Sequence, residues 1–286
     1  MELNESFFQK IYKCPWCEEN NIKTLYYGKY GEKICRCLMC GMVYSDKILN
    51  KKGQEFYWKN YESKVHKKIT KKNIARNKMY KIEADYIEKF LSLQDAKVLD
   101  VGCANGTFLD EFSVRKAICH GVEIGDEAYE YSSKKYKVYK GIFPDLKIED
   151  KYDLVIFRGS IQYCINPKKY LKKAYEVLKN DGLIYITSSP NSESFCFNLF
   201  KEKFSIPVGA MEYYAFSESL ITKFINSLGG SLIGKYHFYE ETPYANIVSD
   251  IKRVAKAIEE VEKGKKISDT SPAFWDNMLT LVYKKH

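Results

Sequence analysis

The chain has 286 residues, 45% of them hydrophobic and 29% charged, with a formal net charge of +9 and nine cysteines. That length suits one full α/β domain with a small appendage. The longest apolar runs, such as "DLVIF" and "GLIYIT", are far too short to span a bilayer. The opening "MELNESFFQK" has no basic head before an apolar stretch, so no secretory signal and a cytoplasmic location are expected. Cysteines in such a compartment point to metal or free thiols rather than to a disulfide framework.

Residues 1–50 are cysteine-rich and lack long periodic runs. "CPWC" (Cys14, Cys17) and "CLMC" (Cys37, Cys40) are two C-x-x-C knuckles with 19 residues between them. This is the spacing of a four-thiolate zinc site, closed and therefore structural. So short a segment cannot bury enough core to fold alone, and metal binding would supply the missing free energy. Cys35 reads as a spare strand residue. Cys103, Cys119, Cys164 and Cys196 read first as packing groups.

Residues 51–95 are rich in lysine and tyrosine and read as a helical linker. Met79, Ile82, Tyr86 and Phe90 recur at three- and four-residue intervals, a buried stripe. Lysine pairs at 51–52, 67–68 and 71–72 carry much of the positive charge. Lysine without arginine is poor evidence for phosphate recognition, so a solvated helix face is favoured over a nucleic-acid grip.

From Ala96 to His286 strands alternate with helices, which implies a parallel sheet with crossover helices. The expected strands are Lys97–Val101, Ala117–Val122, Lys137–Tyr139, Tyr152–Phe157, Leu183–Thr187, Ser231–Tyr239 and Met278–Lys284. Asn166 and Pro167 open a helix as N-cap and first residue, and Asp181–Gly182 ends that element. Ser217 caps another helix that Gly229 stops. Asn246–Lys263 is a polar helical insertion. Asn191–Phe216 is an aromatic-rich cap whose rings, from Phe195 to Phe216, can stack on an acceptor.

The stretch "VLDVGCANGTFLDEF" (98–112) joins a strand to a helix through Gly102 and Gly106. In doubly wound sheets ligands bind at such strand ends. The third glycine of a dinucleotide turn is missing. Asp100 repels pyrophosphate and favours a cationic ligand. S-adenosylmethionine fits, with an ammonium, a sulfonium and no phosphate. Glu123, ending "CHGVE", can accept from both ribose hydroxyls.

With "GVEI", "YDLVIFRGSIQY" and "LKNDGLIYITS", this stretch resembles the class I S-adenosylmethionine-dependent methyltransferases over roughly residues 70–286. The resemblance implies a doubly wound, Rossmann-like seven-stranded sheet with an antiparallel last strand. It implies that Asp100, Gly102 and Gly106, with Cys103 in the same turn, line the methionine part of the cofactor, and that Glu123 holds the ribose. Two departures stand out. "KGIFPDL" places Ile142 and Phe143 where many relatives have an aspartate, so the adenine contact is expected to be apolar plus backbone. Gln162 and Tyr163 stand where many small-molecule enzymes have Glu-His. Arg158, after the fourth strand, can hold the cofactor carboxylate or an acidic substrate.

The zinc ribbon, "FYWKNY", the "TPY" at 242–244 and the "PAFWDNM" at 272–278 together resemble enzymes of bacterial surface-polysaccharide and deoxysugar pathways. That resemblance implies a small-molecule sugar acceptor and a cofactor cover from Tyr57 and Tyr61. An oxygen acceptor benefits from a general base. Tyr163 and His237 are the catalytic candidates, with Glu240 and Glu241 behind them. Two other readings are weighed. One is an RNA methyltransferase gripping phosphate through the zinc module and the lysines. The other is a zinc-dependent interaction protein with an inactive fold, against which the intact Asp100, Gly102, Gly106 and Glu123 argue.

Overall fold

The computed structural model describes residues 3–61 and 71–286. Five short strands come first: β1 (Phe8–Lys10), β2 (Ile22–Tyr27), β3 (Lys33–Cys37), β4 (Val43–Ser45) and β5 (Lys47–Leu49). Helices α1 (Lys51–Tyr61) and α2 (Lys71–Ile87) follow. The alternating part runs β6 (Lys97–Val101), α3 (Thr107–Ser113), β7 (Ile118–Glu123), α4 (Asp126–Ser132), β8 (Lys137–Lys140), β9 (Tyr152–Arg158), α5 (Pro167–Val177) and β10 (Leu178–Pro190). The chain ends with α6 (Phe195–Phe200), β11 (Tyr214–Ala215), α7 (Glu218–Ser227), β12 (Gly230–Lys235), α8 (Ile247–Glu262) and β13 (Met278–Lys285). Among the described residues no helix is long and apolar enough to cross a membrane.

The main sheet has seven strands in the order β12-β13-β10-β9-β6-β7-β8. β6 pairs in parallel with β7 and β9, and β13 is antiparallel to β10 and to β12. This is the doubly wound α/β sheet with an antiparallel last strand. The chain leaves β6 toward β7 and β8, then returns to β9 on the other side. Strand order therefore reverses between β6 and β9, and a crevice opens at their carboxyl ends. The local signals explain the helices. Asn166 Oδ1 accepts from the Lys169 amide at the head of α5, and Ser217 Oγ from the Leu220 amide at the head of α7. Gly229 ends α7 at φ +94°, where a side chain would strain the backbone.

Three elements depart from expectation. α5 stops at Val177, and Asp181 and Gly182 lie within β10 rather than ending the helix. β12 stops at Lys235, so Tyr236–Tyr239 lie outside the sheet. The stripe on α2 outlasts its helix: α2 ends at Ile87, and Phe90 packs from the following turn beneath Gly234, where an added Cβ would come within 2.5 Å of the ring. Lys67 and Lys68 lie outside the described residues.

The N-terminal strands do not close on themselves. β2, β3 and β4 form a four-stranded sheet whose last member is β11, with Tyr214 opposite Tyr44 and Ala215 opposite Val43. Phe197, Phe200 and Phe204 are buried with Tyr26, Ile34 and Val43 of this sheet and with Val254 of α8. Tyr213, Tyr214 and Phe216 join the principal core. Phe195 is exposed at 53%. Apart from Phe195, the rings expected to stack on an acceptor instead form the joint between the N-terminal strands and the main sheet, because apolar partners there bury them almost completely.

Candidate active site

The crevice at the β6/β9 switch is a cleft of about 370 Å³. β6 brings Asp100 to its floor, β7 brings Glu123, β9 brings Arg158, and the turn after β9 brings Ser160 and Tyr163. Gly102 stands at φ +85°, and an added Cβ there would meet Ser160 Cβ at 3.0 Å. The amides of Gly102 and Cys103 both donate to the Val122 carbonyl, tying the turn to β7.

Asp100 is 3% exposed, and its Oδ1 has no hydrogen-bond partner. Burial pushes its carboxyl up to about 7. The Arg158 charge pulls it down, while Glu123 and Glu83 push it further up. Ser160 Oγ is a second buried polar atom without a partner. An unpaired buried carboxylate is costly unless something cationic meets it. These two orphans fit the ammonium of an amino-acid ligand.

Glu123 is already well engaged. Its Oε1 accepts from the amides of Ile124 at 2.8 Å and Gly125 at 2.7 Å, and its Oε2 from Ala104 at 2.8 Å. Burial raises its carboxyl above the usual range, and the three amides oppose that shift. Oε1 already takes two amides, whereas Oε2 takes one and keeps a lone pair, so a ribose hydroxyl still has an acceptor here.

Arg158 is held from behind. Its Nε lies 2.5 Å from Glu83 Oε2, and its guanidinium covers the Tyr80 ring at 4.4 Å. Glu83 is fully buried on α2 and also accepts from Thr187 Oγ1 at 3.1 Å. Glu83 was missed from sequence, although it sits on the Met79–Tyr86 stripe, where an acid facing a core needs a cation. Arg76, one turn before Tyr80 on α2, also lines the cleft.

The remaining sequence candidates separate. Cys103 lines the cleft, yet its sulfur lies against Gly121, where an added Cβ would come to 2.4 Å. Burial pushes its thiol well up, so it stays protonated. Gly106 does not line the cleft. It stands at φ +80° at the head of α3, with the Tyr136 ring 3.2 Å from any added Cβ. Gly106→Ala is therefore expected to cost about 1–2 kcal/mol in left-handed strain, seen as an earlier denaturant midpoint with an unchanged slope. Ile142 and Phe143 both line the cleft.

His237 is elsewhere. Because β12 ends early, the histidine turns to Asp276, with Nδ1 2.6 Å from Oδ1. Both line a separate small cavity with Glu83, whose partner Arg158 faces the cleft. Glu240 and Glu241 are exposed outside the cleft. Tyr57 is not among the lining residues, and the side chain of Tyr61 lies outside the described residues. Gln54 and Trp58, one turn apart on α1, line the cleft in their place. Trp58 meets the Tyr163 ring edge to face at 5.2 Å.

Away from the cleft, the sulfurs of Cys14, Cys17, Cys37 and Cys40 lie within 4.8 Å of one another, with the Cys14–Cys40 and Cys17–Cys37 pairs at 3.5 Å. Metal–sulfur bonds of about 2.3 Å in a tetrahedron require sulfur separations near 3.8 Å. The four thiols therefore fit a tetrahedral thiolate centre. Trp16, between the first two, packs its ring edge to face on Phe224 at 5.5 Å.

A family described as "Methyltransferase domain" matches residues 74–224. Among curated proteins, the chain is 24% identical over 149 residues to a ubiquinone biosynthesis O-methyltransferase of Saccharophagus degradans, covering 47% of this chain and 63% of that protein. It is 27% identical over 124 residues to a carboxy-S-adenosyl-L-methionine synthase of Nautilia profundicola, covering 40% of this chain and 52% of that protein. The chain thus spans less than two thirds of either relative. Among solved structures, the magnesium protoporphyrin IX methyltransferase of Synechocystis, with bound SAH, superposes at a TM-score of 0.58 with 12% identity, covering 83% of this chain and all (100%) of that one. A putative methyltransferase from Haloferax volcanii, in complex with the Trm112 activator, gives 0.56 with 13% identity over 81% of this chain and 97% of that one. These likenesses carry the fold; the family match over residues 74–224 carries the membership. The chain belongs to the methyltransferase-domain family.

Proposed function

We propose that the chain methylates a hydroxyl of a small sugar-type acceptor, nucleotide-linked or destined for a surface polysaccharide. The observation that carries the cofactor placement is the orphan carboxylate of Asp100, in one cleft with the orphan Ser160 Oγ, at a strand-order switch. Asp100 and the Gly102–Cys103 turn receive the amino-acid end. Arg76 and Arg158 supply positive charge for its carboxylate. Glu123 takes the ribose, and Ile142 and Phe143 meet the adenine. Gly106 keeps the head of α3 in place. The bound cofactor supplies an electrophilic methyl group on a sulfonium. The protein's own task is to align the acceptor and exclude water.

Trp58, Tyr163 and Gln54 form the wall expected to face the acceptor. Flat rings with polar groups beside them suit the mixed C–H faces and hydroxyls of a sugar. The N-terminal ribbon and the "TPY" and "PAFWDNM" segments support the same acceptor by resemblance. The same rings also suit an aromatic hydroxyl, and the O-methyltransferases among the relatives favour that as the second reading. The RNA reading is weaker, since Lys51 and Lys59 lie 3.7 and 3.4 Å from Asp145 and Asp126. We further propose that the four cysteines hold one structural zinc ion.

The test uses methyl-labelled S-adenosylmethionine with three separate pools: nucleotide sugars and glycans, small phenols, and total RNA. Base-stable label in the sugar pool alone is expected. Label confined to phenols would select the second reading, and label confined to RNA would overturn both.

A further inference from the structure

We propose that Glu212 is the proton sink for methyl transfer, a positioning residue that acts through Tyr163. The proposal rests on the hydroxyl-acceptor reading above. Tyr163 lines the cleft, and its hydroxyl donates to Glu212 Oε1. Glu212 stands behind it, outside the cleft lining, in the segment before β11. Both partners are fixed. The Tyr163 carbonyl accepts from Gln54 Nε2 at 2.6 Å, and its ring meets Trp58. The Tyr213 amide donates to the Gln162 carbonyl at 3.0 Å, and the Gly209 amide to the Glu212 carbonyl at 2.7 Å, which pins the segment on either side.

The chemistry follows from this order. A neutral phenol is a poor base by itself, and with an ordinary pKa near 10 it is seldom ionised at neutral pH. A phenol whose proton is already directed at a carboxylate can accept a second proton on the same oxygen as it gives up the first. As the acceptor oxygen bonds to the methyl carbon, the carbon–sulfur bond breaks and its electron pair stays on sulfur. The acceptor proton passes to Tyr163 Oη, the tyrosine proton passes to Glu212, and Glu212 later releases it to solvent. No other reactant is needed.

Burial raises the Glu212 carboxyl above its usual range, and the Tyr163 hydrogen bond opposes that shift. Among the described residues Glu212 has no ion pair, so its burial has no cation to offset it. Tyr163 is bonded to it and Tyr213 follows it in the chain, with Cys164 and Tyr170 in the same tyrosine cluster. Burial pushes Tyr213, Cys164 and Tyr170 up, so they stay neutral. Glu32 accepts from the Ala210 amide, two residues before Glu212, at 2.9 Å. A carboxylate whose burial raises it, with a phenol directed at it, is a better proton acceptor than an exposed one.

The experiment compares wild type with Glu212→Gln and Tyr163→Phe, both close in shape to the native residues. The measurements are kcat against pH on the accepted hydroxyl substrate, and cofactor affinity by calorimetry. Each variant is expected to lose about 100-fold in kcat while cofactor affinity stays within about twofold of wild type. The acidic limb of the wild-type profile should vanish in Glu212→Gln, and the double variant should lose little more than either single one. A Glu212→Gln enzyme that keeps its kcat within about threefold and keeps the limb overturns the relay and leaves hydroxyl methylation standing. Wild-type transfer only to nitrogen, carbon or carboxylate acceptors overturns the hydroxyl reading and the relay with it.

Discussion

Asp100→Asn is expected to make the ligand-free protein more stable while removing most of its cofactor affinity. The buried carboxyl is pushed up to about 7 in the folded chain. In the unfolded chain it titrates near 3.9. Between those values the folded state binds more protons, so ligand-free stability falls as pH rises through that window. An amide of the same shape escapes that penalty, a gain of about 1–3 kcal/mol at pH 8. It also loses the charge that meets a cationic ligand, which costs on the order of 100- to 1000-fold in affinity. The wild-type cleft should itself bind about tenfold less tightly for each pH unit below 7, as Asp100 takes up its proton. Thermal melts and calorimetry at pH 6 and pH 8, with and without S-adenosylmethionine, read all three effects. An Asn variant that binds as wild type does, or that melts earlier when ligand-free, would sink the assignment.

Removal of metal from the cysteine cluster is expected to have the largest effect on stability. Four-thiolate sites contribute on the order of 10 kcal/mol of apparent folding free energy in small modules. Here the module is tied to the rest of the chain through Tyr44 opposite Tyr214, Trp16 on Phe224, and Arg36 donating to the Ser192 carbonyl at 2.9 Å. Chelation, or Cys37→Ser, should therefore loosen more than residues 1–50. The segment carrying Glu212 and Tyr213 should follow the ribbon, whereas Asp100 and Glu123 belong to the main sheet. Methyl transfer should fail at chelator concentrations that leave cofactor binding intact. Metal analysis should find one zinc per chain in wild type and none in the variant. Metal-free protein with a protease-resistant N-terminal region and full activity would remove the site.

What could be read from sequence was what depends on near neighbours. The run "KVLDV" became β6 at the expected residues, Asn166 and Ser217 cap their helices, and the knuckle cysteines converge as their spacing requires. What escaped depends on partners far along the chain. Glu83 has meaning only beside Arg158, 75 positions away. Glu212 has meaning only beside Tyr163, and no periodicity brings the two together. The aromatic run from Phe195 to Phe216 has the composition of a binding wall, but its burial is decided by β2, β3 and α8. His237 was placed on a strand whose pairing ends two residues before it. A hydrophobic pattern shows that a side chain is buried, not which surface buries it.

The pairing of β11 with β4 sets an order on biosynthesis. Val43–Ser45 leave the ribosome roughly 10–30 s before Tyr214–Ala215, at about 5–20 residues per second. During that interval the two knuckles are complete and can hold metal, but the outer edge of β4 has no neighbour. An open strand edge is a template for unwanted pairing, and the N-terminal strands are then a half-built sheet held ready for a segment not yet made. The same dependence bears on gene fusion. Residues 1–50 cannot travel as a cassette to another enzyme unless the host provides a strand like Tyr214–Ala215 and the rings around it.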